Sequence, residues 1–198
     1  MTSILKADTI QDTDGNNIIN ESSNTITIGA SGDTTNIIGT LQNNGAAVGG
    51  ANTPAFAAKM SGTQTISHNT ATKVTFDTEV FDTDSAYDHS TNYRFTPQTA
   101  GKYSVSHMLY LDGQGQGNLR IFSARIYKNG SVVGISGDDK ATGYQNNGVE
   151  SLTITVEMNG SSDYLEAYVY QFTQDSSTSP AGGSDAYSAL FTAHKLIT

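Results

Sequence analysis

Cysteine and tryptophan are absent from this chain of 198 residues, and proline occurs only 3 times. Without cysteine there is no disulfide scaffold, no thiolate zinc site and no cysteine nucleophile, so stability has to come from packing or assembly. Basic side chains are scarce as well: 10 Lys and Arg stand against 19 Asp and Glu, a formal net charge of −9. That field repels phosphate backbones and anionic lipid heads, which argues against nucleic-acid and membrane-surface roles. No apolar run approaches the roughly 20 residues of a bilayer span, so no membrane insertion is expected. Met1-Thr2-Ser3-Ile4-Leu5-Lys6 has neither the basic start nor the apolar core of a secretory signal, and export by that route is not expected.

Aromatic residues are missing from the first quarter of the chain. All 10 Tyr and 7 Phe lie between Phe56 and Phe191. A segment without large apolar side chains cannot offset its own chain entropy, so residues 1–50 must lean on something else. What they contain is Thr, Asn, Gly, Asp and regularly placed isoleucines: Ile10, Ile18, Ile19, Ile26, Ile28, Ile37 and Ile38. Thr9-Ile10 leads to Asn17-Ile18-Ile19, and Thr27-Ile28 leads to Asn36-Ile37-Ile38, the two triplets offset by 19 residues. β-Branched pairs between Gly, Asn and Asp turns predict short strands in a repeating element that buries its Ile rows only against neighbouring chains. A disordered polar tail is the alternative on composition. Residues 1–50 are therefore read as an attachment and trimerisation segment anchored by those isoleucines, residues 51–53 as a linker, and residues 54–198 as a head domain.

From Ala55 onward, apolar and polar residues alternate with period two and turn residues separate the runs, which predicts an all-β domain. Strands are expected at Ala55–Lys59, Thr72–Phe76, Asn92–Phe95, Tyr103–Leu111, Leu119–Lys128, Ser151–Met158, Tyr164–Phe172 and Ala186–Ile197, the number a two-sheet jelly roll needs. Two of these runs are apolar on both faces. Tyr103, Val105, Leu109 and Leu111 oppose Met108 and Tyr110, while Leu165, Ala167 and Val169 oppose Tyr164, Tyr168, Tyr170 and Phe172. A lone sandwich needs one apolar face per strand, so the second face predicts a subunit interface, assigned to Tyr164, Tyr168, Tyr170 and Phe172.

The run Tyr87-Asp88-His89-Ser90-Thr91-Asn92-Tyr93-Arg94-Phe95-Thr96-Pro97-Gln98-Thr99-Ala100-Gly101-Lys102-Tyr103-Ser104-Val105 resembles the signature region of complement C1q and tumour-necrosis-factor-like globular domains, through the spacing of Phe95, Gly101 and Tyr103. Pro54-Ala55-Phe56, Thr75-Phe76-Asp77, Phe81-Asp82, Tyr127-Lys128-Asn129-Gly130 and Phe191-Thr192-Ala193 stand in that family's order. One extra residue lies between Thr91 and Phe95, and Val105 stands where the family usually has Phe. The resemblance covers residues 54–198 and implies a C1q-like jelly roll in a homotrimer. Ser3 to Asn16 is similar to the opening of short fibre and appendage proteins of tailed bacteriophages, where a thin trimeric β stalk precedes a globular head.

Candidate chemistry is sparse. His68, His89, His107 and His194 have no ligand spacing and no nucleophile motif around them, so they are read as structural or solvated. Asp82, Asp84 and Asp88 fall within seven residues, and Asp138 and Asp139 adjoin; calcium is the one cofactor either group would take, through carboxylate oxygens. No catalytic residue is assigned. Asp112 to Asn118 alternates glycine with polar residues, yet no helix or Lys-Ser/Thr follows, so it reads as a hairpin loop and not a phosphate cradle. The loop carrying Tyr144, Gln145, Asn146 and Asn147 combines residue types suited to recognising carbohydrate or protein, and is the expected receptor contact.

These readings converge on a virion structural protein: a bacteriophage tail fibre or appendage, held to other virion proteins through residues 1–50, made in the host cytoplasm and displayed on the extracellular particle. Its trimeric head binds a host-surface carbohydrate or protein during host attachment and is not an enzyme. Two other readings stay open, a capsid decoration or head-fibre protein and a jelly-roll enzyme that processes polysaccharide.

Overall fold

Period-two alternation forces successive side chains onto opposite faces of a strand, and burial follows that alternation through most of the head. The computed structural model describes residues 9–11, 13, 17–22, 25–29, 32–39, 41–43, 46–47, 52–114, 117–140, 142–182 and 189–196. It divides into two units, residues 1–50 and 51–198.

In the first unit β1 (Thr9–Gln11), β2 (Asn17–Ser22) and β3 (Thr25–Ile28) form an antiparallel three-stranded sheet, and β4 (Gln42–Asn43) pairs with β5 (Ala46–Ala47). Ile19 lies opposite Ile28 in the register of β2 and β3. The expected repeat is broken in its second half: Asn36, Ile37 and Ile38 belong to no strand, whereas Asn17, Ile18 and Ile19 sit in β2. The single chain does not bury these isoleucines. Ile10, Ile19, Ile26, Ile28, Ile37 and Ile38 are exposed, Ile38 to 95%; the side chain of Ile18 lies outside the described residues.

The second unit holds β6 (Ala55–Lys59), β7 (Thr63–Ile66), β8 (Thr72–Lys73), β9 (Thr78–Asp82), β10 (Tyr87–Asp88), β11 (Arg94–Phe95), β12 (Gly101–Asp112), β13 (Leu119–Lys128), β14 (Ser131–Asp139), β15 (Asn147–Met158), β16 (Leu165–Thr173), β17 (Ser179–Gly182) and β18 (Ala189–Lys195). One sheet runs β10-β11-β16-β13-β14, with β8 beside β16. The other runs β7-β17-β12-β18-β6-β9, with β15 along the free side of β12. Every named strand pair is antiparallel and the chain crosses repeatedly between the two sheets, giving the expected all-β jelly roll.

The core lies between the sheets. Phe56 stacks on Tyr87 and Phe95, with centroids 4.5 and 4.6 Å away, and meets Phe191 edge-on. Phe95 in turn meets Tyr103 edge-on at 5.7 Å, and both are fully buried. Four aromatic landmarks of the sequence, Phe56, Phe95, Tyr103 and Phe191, thus converge in one cluster, and Phe76 joins it 5.8 Å from Phe191. Phe81 departs from the pattern: a bulge in β9 opposite Ala57 and Ala58 leaves it half-exposed.

Several boundaries shift from the sequence expectation. β15 begins at Asn147, four residues before Ser151, and regular pairing along Thr72–Phe76 stops at Lys73. Ser131–Asp139, absent from the strands expected on the sequence, is a strand at the sheet edge. Its glycines permit close approach. At Gly137 an added Cβ would fall 2.5 Å from Ser123 Cβ, and at Gly134 one would fall 3.0 Å from Ile154 Cδ1.

Candidate recognition surface

Cross-strand partners in an antiparallel sheet share a face, so the two outward faces of the head can be read from the register. On the outer face of the β12 sheet, Tyr110 stands opposite Val149, Met108 opposite Leu190, and Ser106 between Thr153 and Thr192. Val149 is 60% exposed, and Met108, Tyr110 and Leu190 are half-buried. Ser106 and Thr153 share a hydroxyl hydrogen bond of 2.8 Å. Next to them Thr192 pairs with Ala57, and Ala57 with the half-exposed Phe81. These residues are uncharged, on a chain whose net charge is −9, while the register places Lys59 opposite Leu190 on the same face and Asp112 and the Lys102–Glu157 pair at its two ends.

The outer face of the other sheet is built differently. Tyr168, Tyr170 and Phe172 of β16 and the adjacent Tyr164 are half-buried, and cations of the same chain cover them. Arg94 lies over Tyr164 at 4.6 Å from the ring centroid, Arg125 over Tyr170 at 4.4 Å, Arg120 over Phe172 at 5.7 Å and Lys73 over Tyr168 at 6.0 Å. Tyr127 stacks on Tyr168 at 4.1 Å, and Tyr170 donates its hydroxyl proton to Asn69 Oδ1. The sequence marks these rings as an interface because they lack a core partner; within the chain they have cationic ones. Period and spacing carry no trace of those contacts, since Lys73 arrives from β8, Arg94 from β11, and Arg120 and Arg125 from β13.

The candidate calcium ligands do not converge. Asp82 accepts from the backbone N–H of Asp84 and Tyr87, and Asp84 from the Thr83 hydroxyl. Asp88 accepts from the N–H groups of Thr91, Ser90 and Asn92 and from the Asn92 amide. These bonds, the Thr91 N–H foremost, hold the Asp88 carboxyl well below the usual carboxylate range. Asp138 pairs with Lys140 and Asp139 with Arg120. Among the described residues no three His, Cys, Asp or Glu side chains group as metal ligands.

The expected receptor loop is partly a structural clasp. Gln145 and Leu119 exchange backbone hydrogen bonds of 3.0 Å, the Asn146 carbonyl accepts from Gly113, and Asn146 Oδ1 accepts from Gly117. Tyr144 is half-buried, which leaves Asn146 and Asn147 as the exposed members. The four histidines stay apart. His68 hydrogen-bonds with Thr173, His89 lies 2.7 Å from Glu79, His194 is exposed, and His107 is fully buried. No described helix is long and apolar enough to cross a membrane.

No family model matches the chain, and no curated protein matches its sequence. Among solved structures it is similar to the globular domain of zebrafish complement 1qA protein, at 14% identity over 73% of this chain and 98% of that one, with a TM-score of 0.48. It is also similar to the tumour necrosis factor Eiger of S. frugiperda (12% identity, 72% and 92% covered, TM-score 0.49) and to murine APRIL (7% identity, 72% and 98% covered, TM-score 0.49).

Proposed function

We propose that the chain is a non-enzymatic homotrimeric recognition head with an N-terminal attachment segment, displayed on a bacteriophage particle as a tail fibre or appendage that contacts the host surface. The observation that carries this reading is the outward patch of Tyr110, Val149, Met108 and Leu190, apolar and with no carboxylate among its members. Copies of a chain with net charge −9 repel one another, and an interface between them is least costly where that repulsion is absent and apolar area is available. The centre of this face meets both conditions, with the cation Lys59 beside Leu190 and no carboxylate among those residues. The Tyr164 to Phe172 row meets them less well, because its rings are already covered by cations. The exposed isoleucines of the first unit support the attachment role in the same way, since each gains only by burial against another chain. The phage assignment rests on the resemblance of residues 3–16.

Sedimentation or mass measurement in native buffer tests the central point. A trimer is expected, and a stable monomer at micromolar concentration would remove the architecture. A density map of the intact particle then decides between tail and capsid.

A further inference from the structure

The chain has three arginines, and all of them lie against one aromatic row. Arg94, Arg120 and Arg125, with Lys73, cover Tyr164, Phe172, Tyr170 and Tyr168 on the outer face of the β16 sheet. An acidic protein thus gathers its guanidinium groups on a single surface. Their commitments differ. Lys73 pairs with Glu166 and Arg120 with Asp139, but among the described residues neither Arg94 nor Arg125 has a carboxylate partner. Arg125 donates from Nε to Ser123 Oγ at 3.0 Å and rests on the Tyr170 ring, so its plane is held from two sides.

Beside Arg125 is a shallow depression of about 220 Å³ lined by Ile121, Ile135, Ser123 and Gly137. Gly137 lets β14 lie close against β13 at its wall, because the space a Cβ would take there is already occupied by Ser123. Asp138 and Asp139 also line it, with their charges opposed by Lys140 and Arg120. A guanidinium is a planar fork that matches a carboxylate with two parallel hydrogen bonds. One already fixed on an aromatic face loses little freedom on binding. Ile121 and Ile135 beside it supply apolar area for the carbon face of a sugar ring. Polymers of high charge density are opposed by the net charge of the chain, whereas a polymer with an isolated carboxylate on a largely neutral ring is opposed far less.

We infer that this face binds a carboxylated polysaccharide, with Arg125 holding a sugar carboxylate beside the Ile121 and Ile135 depression and Arg94 available to a second carboxylate on the same polymer. The inference rests on the host-contact reading above and names the chemical class of its receptor.

The test is binding of the purified full chain to an array of carboxylated oligosaccharides, hexuronates and nonulosonates, each printed beside its methyl ester. At least one free acid should be retained and its ester bound tenfold or more weakly, with retention falling as salt is raised. Arg125→Ala should lose tenfold or more on that free acid, and Arg94→Ala should weaken it further in combination, with unchanged circular dichroism and assembly state. Failure of every free acid to bind, indifference to esterification, or unchanged binding in the double variant would each overturn the inference. Adhesion of whole particles to the infected cells separates it from the broader reading. Undiminished adhesion by particles carrying both substitutions means that host contact stands and this face is not its site; particles that adhere as well as wild type after deletion of the entire head mean that host contact itself is wrong.

Discussion

His107 meets Phe76 edge-on, ring centroids 5.6 Å apart and planes at 90°, and neither imidazole nitrogen has a hydrogen-bond partner. Phe191 closes its other side at 6.4 Å. Desolvation in this apolar setting depresses the histidine pKa from 6.5 to about 4, and the Arg125 backbone carbonyl opposes the shift without reaching hydrogen-bond geometry. In the unfolded chain the ring takes up a proton near its ordinary pKa, so the unfolded state binds more protons below that point. Stability from neutral His107 is therefore complete above about pH 6.5, declines as pH falls, and levels off near pH 4, a loss on the order of 3 kcal/mol. Denaturant titrations at pH 7, 5.5 and 4.5 should show it. His107→Leu should flatten the dependence over that window, and a variant with the wild-type slope would assign the acid sensitivity elsewhere.

Gly160 turns the chain between β15 and β16 with φ of +71°, and an added Cβ would run into the Ala100 backbone. The Asn159 side chain fastens this turn by accepting from the N–H groups of Ser161, Ser162 and Asp163. Gly143 has a similar φ of +74° but open space around it. Gly143→Ala should therefore cost about 1 to 2 kcal/mol from backbone strain alone. Gly160→Ala adds a collision with main chain, and should cost about 3 kcal/mol or more. Equal thermal midpoints for the two variants would contradict the steric account.

Legibility of the fold in the sequence follows its physics. Phe95 and Tyr103 are separable by eye because period-two alternation resumes after Pro97 and Gly101, and both rings enter the same core. Ser131–Asp139 escapes that reading: an edge strand has one hydrogen-bonded neighbour, so its burial is weak, and Gly134 and Gly137 are selected for close approach instead of β propensity. Gln171 is hidden for another reason. It points inward, donating to the carbonyls of Ile66, 105 residues away in sequence, and of Ser177, and accepting from the Ser179 hydroxyl. The surface was least legible. A row of aromatics signals apolar area, but whether a neighbouring subunit or the chain's own arginines cover it depends on tertiary contacts that no local pattern encodes.

If the face carrying Tyr110 and Val149 joins the subunits, carboxylates placed on it should separate them. Tyr110→Asp with Val149→Asp puts two carboxylates per chain on directly opposed positions of that face. The loss combines about 1.5 to 3 kcal/mol of apolar burial per site with like-charge repulsion between copies. Sedimentation on dilution should then give monomer with unchanged circular dichroism. Tyr168→Ser with Tyr170→Ser, on the opposite sheet, should leave the assembly intact. The reverse outcome would return the interface to the Tyr164 to Phe172 row.

The N-terminal segment offers the last test. Its isoleucines are exposed in the single chain, Ile26 to 69%, Ile28 to 56% and Ile38 to 95%, so the unit gains little from them alone. Each one buried against a partner is worth about 1.5 to 3 kcal/mol, enough in sum to offset the ordering of a polar segment. Protection from protease should therefore require assembly: isolated residues 1–50 should be digested rapidly, and the same residues on the particle should resist. Replacing Ile18, Ile19, Ile37 and Ile38 by Asn removes four anchors while leaving the aromatic core of the head untouched. Such a chain should keep the thermal transition of its head, lose protease protection in residues 1–50 and fail to attach to particles. Attachment with undiminished protection would show that the Ile rows are not what holds the chain in place.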